Sequence, residues 1–517
     1  MKFFRLLLWG LLATIVGYLL YENKIKKQKL ALLSSNVKRL LNDHQQRKMK
    51  PSQVAALNVR SRDQMVFNEK VLQHVIKASV KVEVNVLYAA YQRAGSWSGS
   101  GVVVDREKGL ILTNAHVVGR GCVGHHQVLF YEGTMVEAKV RYLDAWRDFA
   151  FLEVDPKLLP LGVEEVALSN SKVMLNTPIF IVGNNGGYPF SIHSGRVTNL
   201  NKITRVDNGG IPAQTLICSL NTVGGSSGSG VFNSKGQMIG LNYAGVAYKK
   251  HHPTIAVALH PAYIKAVLAQ LKEGEKVVQH HIGVFLDHVR LDQVPLPDNF
   301  KATYKKRFPQ ARGRLLWVSH FLRGSPAEEV LLPGDLVLAV DGKQLGGRLV
   351  DFDLALNQQN GNNIVLTLLR QGKEKQVKCS CYESQQYEIQ RILLIGGGFF
   401  VESDLFLSNR HYLPLGTLML SKVTAGKAFY PKSSIAYNLF RYGANKLLAI
   451  NEDSLQELDD LITLAPSLLG PKGVTLTYQD ALGRIRLAHF PKAVFSNEPL
   501  LFTFDSKAGK WTKKKLT

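Results

Sequence analysis

A serine hydroxyl attacks a carbonyl at neutral pH only when a base lies within hydrogen-bond reach and a third group orients that base. The sequence offers such a set. Ser227 stands in Gly225-Ser226-Ser227-Gly228-Ser229-Gly230, between the apolar runs 215–220 and 231–232. Flanking glycines allow a tight turn and a close approach of a second backbone. Both suit a nucleophile whose own amide must also face the reacting carbonyl. Taken alone, a Gly/Ser run is more often a turn or a linker. His116 lies in Thr113-Asn114-Ala115-His116-Val117-Val118, just after a strand, and Asp148 opens Asp148-Phe149-Ala150-Phe151-Leu152. A lone histidine at a strand end is usually structural, and an aspartate before a strand usually forms a turn. Together, in the order His, Asp, Ser within an all-β stretch, they match one known arrangement of base, orienter and nucleophile.

The elements that must position this set are strands. From about residue 78 the chain gives short valine-rich runs with turn signals between them, at 80–87, 102–104, 109–112, 127–131, 135–142, 149–154, 179–182, 195–200, 216–220, 231–232, 238–243 and 254–258. That spacing argues for an all-β barrel or sandwich rather than βαβ units. Residues 261–271 have helical spacing and close the domain, which spans 76–275. A second unit, 280–384, mixes strands with a short helix after Ser325-Pro326. A third, 388–497, reads as its weaker copy: Gly426-Lys427-Ala428 parallels 324–327, and 442–451 parallels 332–341. Repetition at about 110 residues means tandem domains. Residues 498–517 read as a loose basic tail.

The chain has 517 residues and a net charge of +24. The basic residues are scattered and have no interleaved aromatic pattern, so nucleic acid is not an expected partner. Cys122, Cys218, Cys379 and Cys381 are too few for a disulfide scaffold and read as small buried hydrophobes. The pairs His125-His126, His251-His252 and His280-His281 read as loop residues. No set of four ligands completes a zinc site, so neither metal nor cofactor is expected. Residues 6–21 carry no charge and follow Lys2 and Arg5, which makes 1–23 an uncleaved membrane anchor and 24–75 a basic helical linker. The basic flank from Lys24 to Lys29 would place that side in the cytoplasm.

The stretch from Ser98-Gly99-Ser100-Gly101-Val102-Val103-Val104 to His116 resembles the entry to the catalytic histidine in the HtrA (Deg) family. Asp148-Phe149-Ala150-Phe151-Leu152 and the Ser227 turn resemble its aspartate and nucleophile segments. Ser226, Ser229 and Gly230 stand where that family has asparagine, glycine and proline, and a looser loop is the expected consequence. Asp144 lacks the strand that follows Asp148, and Ser226 lacks the Gly-x-Ser-Gly frame. The second unit resembles a PDZ domain through Gly324-Ser325-Pro326-Ala327 and 333–343, and the third resembles a divergent PDZ domain, with Asn445 in place of Asp335.

The resemblance implies a mainly β fold: a trypsin-like double β-barrel followed by two PDZ-like α+β domains, with the N-terminal membrane helix. It implies an ATP-independent serine endopeptidase acting on unfolded or damaged proteins by acyl transfer. Ser227 would attack, His116 would shuttle the proton, Asp148 would hold the imidazole, and the amides of Gly225 and Ser227 would bind the oxyanion. Gly283, Val284 and Phe285 would receive peptide C-termini by strand addition. A homo-oligomer, a trimer or a multiple of one, and an extracytoplasmic or periplasmic protease domain are also implied. The alternative is a chaperone or PDZ scaffold with an idle protease site.

Overall fold

The computed structural model describes residues 67–205, 210–246, 255–358, 363–424, 446–469, 473–480, 483–490 and 498–517. All of these belong to one compact unit, 67–517. The expected anchor at 1–23, the linker up to 66, His251-His252, Gly426-Lys427-Ala428 and Asn445 lie outside the described residues. Among the described residues, no helix is long and apolar enough to cross a membrane.

Helix α1, Glu69–Ala78, opens the unit, its first turn capped by the Asn68 side chain on the Lys70 amide at 2.9 Å. Val75 and Ile76 are buried in an apolar core. The folded domain therefore begins inside the expected linker, because an amphipathic face there has apolar partners to cover.

Six strands close the first barrel: β1 (Ser79–Ala89), β2 (Gly95–Asp105), β3 (Leu110–Thr113), β4 (Cys122–Leu129), β5 (Met135–Asp144) and β6 (Phe149–Glu153). Six more close the second: β7 (Pro178–Asn185), β8 (Tyr188–Thr204), β9 (Ala213–Cys218), β10 (Gly230–Asn233), β11 (Met238–Val246) and β12 (Ile255–Leu259). Each barrel encloses its own apolar core, the first around Val82, Phe130 and Leu152, the second around Ile179, Leu216 and Val231. A larger core, with Phe149, Phe151, Phe180 and Phe232, draws on strands of both barrels together with α1. The all-β reading of this region holds.

Two further sheets follow, and their strand orders repeat. In the first, Val284–Arg290, Arg314–Phe321, Leu336–Val340, Asn363–Arg370 and Lys373–Ser380 lie side by side, with Lys343–Gln344 paired to the third. In the second, Gly398–Glu402, Leu418–Val423, Lys446–Ile450, Val474–Gln479 and Ile485–Phe490 do the same, with Asp453–Ser454 paired to the third.

The tail is not loose. Leu500–Asp505 and Lys510–Lys515 form a hairpin, and the first of these strands pairs with Arg391–Ile395. Phe502 faces inward at 1% exposure. The lysines lie on the outermost strand and remain in water, which is why composition alone suggests disorder. Two of the histidine pairs are not loop residues either: His125 and His126 lie in β4, and His280 and His281 pair with Glu383 and Tyr382. His126 is buried and its Nε2 donates to the Val118 carbonyl at 2.8 Å, while His281 packs on Trp146. All four cysteines are free and buried.

Candidate active site

His116 sits on the one-turn helix α2, Ala115–Val118, between β3 and β4. Asp148 sits in the turn between β5 and β6 at φ 60°, a left-handed conformation that aspartate tolerates better than most residues. The two elements meet across the end of the first barrel. Asp148 Oδ2 lies 2.6 Å from His116 Nδ1, and its Oδ1 accepts the His116 backbone N–H at 2.8 Å. The Asn114 side-chain amide donates to the Asp148 carbonyl at 2.8 Å. The carboxylate is wholly buried, while the His116 side chain keeps 18% of its surface. A carboxylate in this place fixes which imidazole nitrogen carries the proton and stabilises the ring when it becomes cationic.

Ser227 comes from the second barrel, in the turn between β9 and β10. Its carbonyl accepts the Ser100 N–H at 2.8 Å, which ties the turn to β2 of the first barrel. The Ser100 hydroxyl donates to the Gly225 carbonyl at 2.8 Å. Gly225 and Gly228 have φ +93° and +89°. A Cβ at Gly225 would drive into the Asn184 carbonyl, and one at Gly228 into the Ser100 carbonyl. Both positions need glycine for conformation and for space.

The amides of Gly225 and Ser227 have no acceptor among the described residues. The opposite face of each peptide is held. The Gly224 carbonyl accepts the Gly186 N–H at 2.8 Å. The Ser226 carbonyl accepts the Ser229 hydroxyl at 2.7 Å, the Asn242 side-chain amide at 2.9 Å and the Ser229 N–H at 3.2 Å. In a planar trans peptide the carbonyl and the next N–H point in opposite directions, so these bonds aim the two N–H groups away from the protein's own acceptors. Ser229 therefore fastens the turn, contrary to the looser loop expected from its difference with the HtrA pattern.

The rivals are occupied elsewhere. Ser226 is buried, with its hydroxyl 3.2 Å from the Asn242 side-chain amide. Asp144 accepts the Arg147 N–H at 2.8 Å and lies in a buried group with Arg147 and Asp353. Burial pushes the Cys122 thiol up to about 12, so it is not a competing nucleophile.

Of the residues expected to receive peptide, Gly283, Val284 and Phe285, the last two begin the strand at the end of the first of the two repeated sheets, and both are buried. The Gly283 N–H donates to His281 Nδ1 at 2.8 Å, and its carbonyl accepts the Leu322 N–H at 2.8 Å. Phe285 is fully buried in a cluster with Trp146, Ile211, Leu322 and Leu405, stacked on His320 at 4.1 Å. The sequence motif is local, whereas this burial comes from residues far away in the chain.

One residue at the site has no sequence signal. Arg120, in the Gly119-Arg120-Gly121 turn, is 3% exposed and its Nη2 lies 3.2 Å from Asp148 Oδ1. No motif marks it, because its partners are assembled only by folding.

Two barrels, a His–Asp pair at the end of one and a glycine-framed serine from the other define a trypsin-like serine peptidase domain. Residues 99–241 match the family described as trypsin-like peptidase domain. Over 388 residues the chain is 25% identical to the pro-apoptotic serine protease NMA111 of Candida glabrata, covering 73% of this chain and 38% of that protein. It is 26% identical over 364 residues to a PDZ domain-containing protein of Schizosaccharomyces pombe, covering 68% of this chain and 35% of the other. The chain thus spans less than half the length of the curated relatives it matches. Among solved structures, the HtrA-type protease AlgW with tripeptide aligns over 60% of this chain and 96% of its own, at 19% identity and a TM-score of 0.45. The peptidase-domain match and the serine protease relatives bear out the reading of a trypsin-like serine peptidase domain in this chain.

Proposed function

We propose that the chain is an ATP-independent endopeptidase that cleaves unfolded or damaged proteins through an acyl-enzyme. The observation that carries the reading is the 2.6 Å contact between His116 Nδ1 and Asp148 Oδ2, which leaves the far side of the imidazole for the nucleophile. Ser227 Oγ attacks the scissile carbonyl, and its proton passes to His116 Nε2. The tetrahedral oxyanion takes hydrogen bonds from the Gly225 and Ser227 amides. His116 then protonates the leaving amine, and water repeats the sequence to release the acid. Each step is proton transfer and acyl transfer, and none calls for a nucleotide. One oxyanion donor is typically worth about 10²–10³ in rate.

Fluorophosphonate labelling and casein cleavage test the reading. Wild type is expected to do both, and Ser227→Ala neither. Undiminished labelling of Ser227→Ala would sink the assignment.

The two repeated sheets are read as PDZ-like domains that regulate the protease, and the protein as a trimer or a multiple of one. Both readings come from the HtrA resemblance and the repeated strand order. A tether at 1–23, with the protease domain outside the cytoplasm, completes the proposal from the sequence. Proteolysis of intact against opened cells distinguishes the two sides of the membrane.

A further inference from the structure

The catalytic carboxylate has a second partner besides His116. Arg120 Nη2 lies 3.2 Å from Asp148 Oδ1, with both side chains buried. A guanidinium here shares the carboxylate's negative charge with the imidazole. The titratable groups around Arg120 are not confined to the two barrels. Burial works against the charge on Arg120, but Asp148 first, then Tyr91, Asp404 (the cap of helix Leu405–His411) and Glu388, outweigh it and raise its affinity for the proton. Asp144 and Cys122 also face this cluster, and Tyr243 lies near Asp148 from the second barrel. The Tyr91 hydroxyl donates to Asp404 Oδ2 at 2.9 Å.

A chain of contacts joins the last sheet to this arginine. Ser421 Oγ donates to the Ala90 carbonyl at 2.6 Å and Lys422 Nζ to the Gln92 carbonyl at 2.7 Å, gripping the turn between β1 and β2 on both sides of Tyr91. Tyr91 stacks on Phe406 at 5.1 Å. The Ala90 N–H donates to the Gly121 carbonyl at 2.9 Å, one residue beyond Arg120. Ile389, Phe399 and Phe502 seal the contact with apolar surface against Ala90, Tyr88 and Val123.

We infer that Arg120 is a positioning residue for the His116–Asp148 pair, and that it carries the docked state of the C-terminal sheet into the catalytic site. The inference rests on the proteolytic reading for its consequence, but not for its geometry. With the sheet docked, the Ala90–Gly121 hydrogen bond and the Tyr91–Asp404 contact fix the turn that carries Arg120 beside Asp148. With the sheet displaced, water reaches the guanidinium and the carboxylate loses its fixed partner.

The charge logic gives opposite signs for two substitutions. A cation beside Asp148 disfavours a second cation on the imidazole. Arg120→Met removes it, so protonated His116 persists to higher pH. Asp404→Asn strips an anion from Arg120, leaves its charge less compensated and acts the other way.

Two readouts on the full chain test this. The first is the acid limb of the pH profile of kcat/KM for casein cleavage. The second is the pH titration of the downfield imidazole N–H proton resonance, assigned by its loss in His116→Ala. In Arg120→Met both are expected to move up by about one pH unit. Arg120→Lys, which keeps the charge, is expected to restore most of the difference, and Asp404→Asn to move both down. A folded Arg120→Met with both midpoints unmoved overturns the inference, even if its turnover falls. If Arg120→Met does not fold, unmoved midpoints in Asp404→Asn overturn it. Failure of wild type to cleave casein would count against the proteolytic reading alone, since the proton resonance still reports on Arg120.

Discussion

The Ser229 hydroxyl donates to the Ser226 carbonyl at 2.7 Å, and so holds the peptide whose N–H belongs to Ser227. That bond turns the Ser227 N–H away from the protein's own acceptors, as the proposed oxyanion site requires. Ser229→Ala removes one of three donors to the carbonyl, leaving Asn242 and the Ser229 N–H. The Ser227 N–H is then aimed less firmly. Losing an oxyanion donor outright costs about 10²–10³ in kcat, so loosening one is expected to cost about tenfold, with KM little changed. Steady-state kinetics on casein separates the two parameters. An unchanged kcat would mean that Asn242 and the Ser229 N–H are enough to fix the peptide.

The chemistry is legible in the sequence because each of the three residues carries a local signature. His116 follows a buried strand, Asp148 precedes one, and Ser227 stands between glycines that the structure shows to be crowded by the Asn184 and Ser100 carbonyls. What escapes is non-local. Arg120 meets Asp148 only when the turn after the one-turn helix folds back on the β5–β6 turn, and no local pattern marks that contact. Phe285 lies in a legible loop motif, but its burial with Trp146, Ile211 and Leu405 is decided by residues far away in the chain. In the tail, lysine content masks the alternation of a strand. Its inward residue is Phe502, and its lysines occupy an edge strand where water is available.

That edge hairpin yields a stability prediction. Phe502 is 1% exposed and lies 4.6 Å, ring to ring, from Tyr88 of the first barrel. Truncating a buried phenylalanine typically costs about 3–5 kcal/mol, so Phe502→Ala is expected to lower the urea midpoint markedly. Lys513, exposed on the outer strand, is the contrast: Lys513→Ala is expected to stay within about 0.5 kcal/mol. Unfolding followed by tryptophan fluorescence reports on this region through Trp511. Equal midpoints for the two variants would mean that the hairpin is not part of the cooperative unit.

Glu388 gives the stability a pH dependence. Burial and the nearby charge of Asp404 push its carboxyl up from 4.5 to about 8, against the opposing pull of Arg120. Asp144 adds to the rise, and the Ala145 N–H, 3.3 Å from Glu388 Oε1, opposes it. The folded state therefore holds a proton that the unfolded chain releases near pH 4.5. Between that pH and about 8 the folded state binds more protons, so stability falls as pH rises. The loss is complete above the folded value. Each pH unit by which folding raises a carboxyl's midpoint is worth about 1.4 kcal/mol, and less here because the side chain is only partly buried. Tm is thus expected to drop on going from about pH 5 to about pH 8, and Glu388→Gln, neutral throughout, to flatten that slope. Asp404 and Asp144 are raised by burial as well and preserve part of it. Parallel Tm curves for wild type and Glu388→Gln across this range would show that Glu388 is already ionised in the folded protein at its acid end.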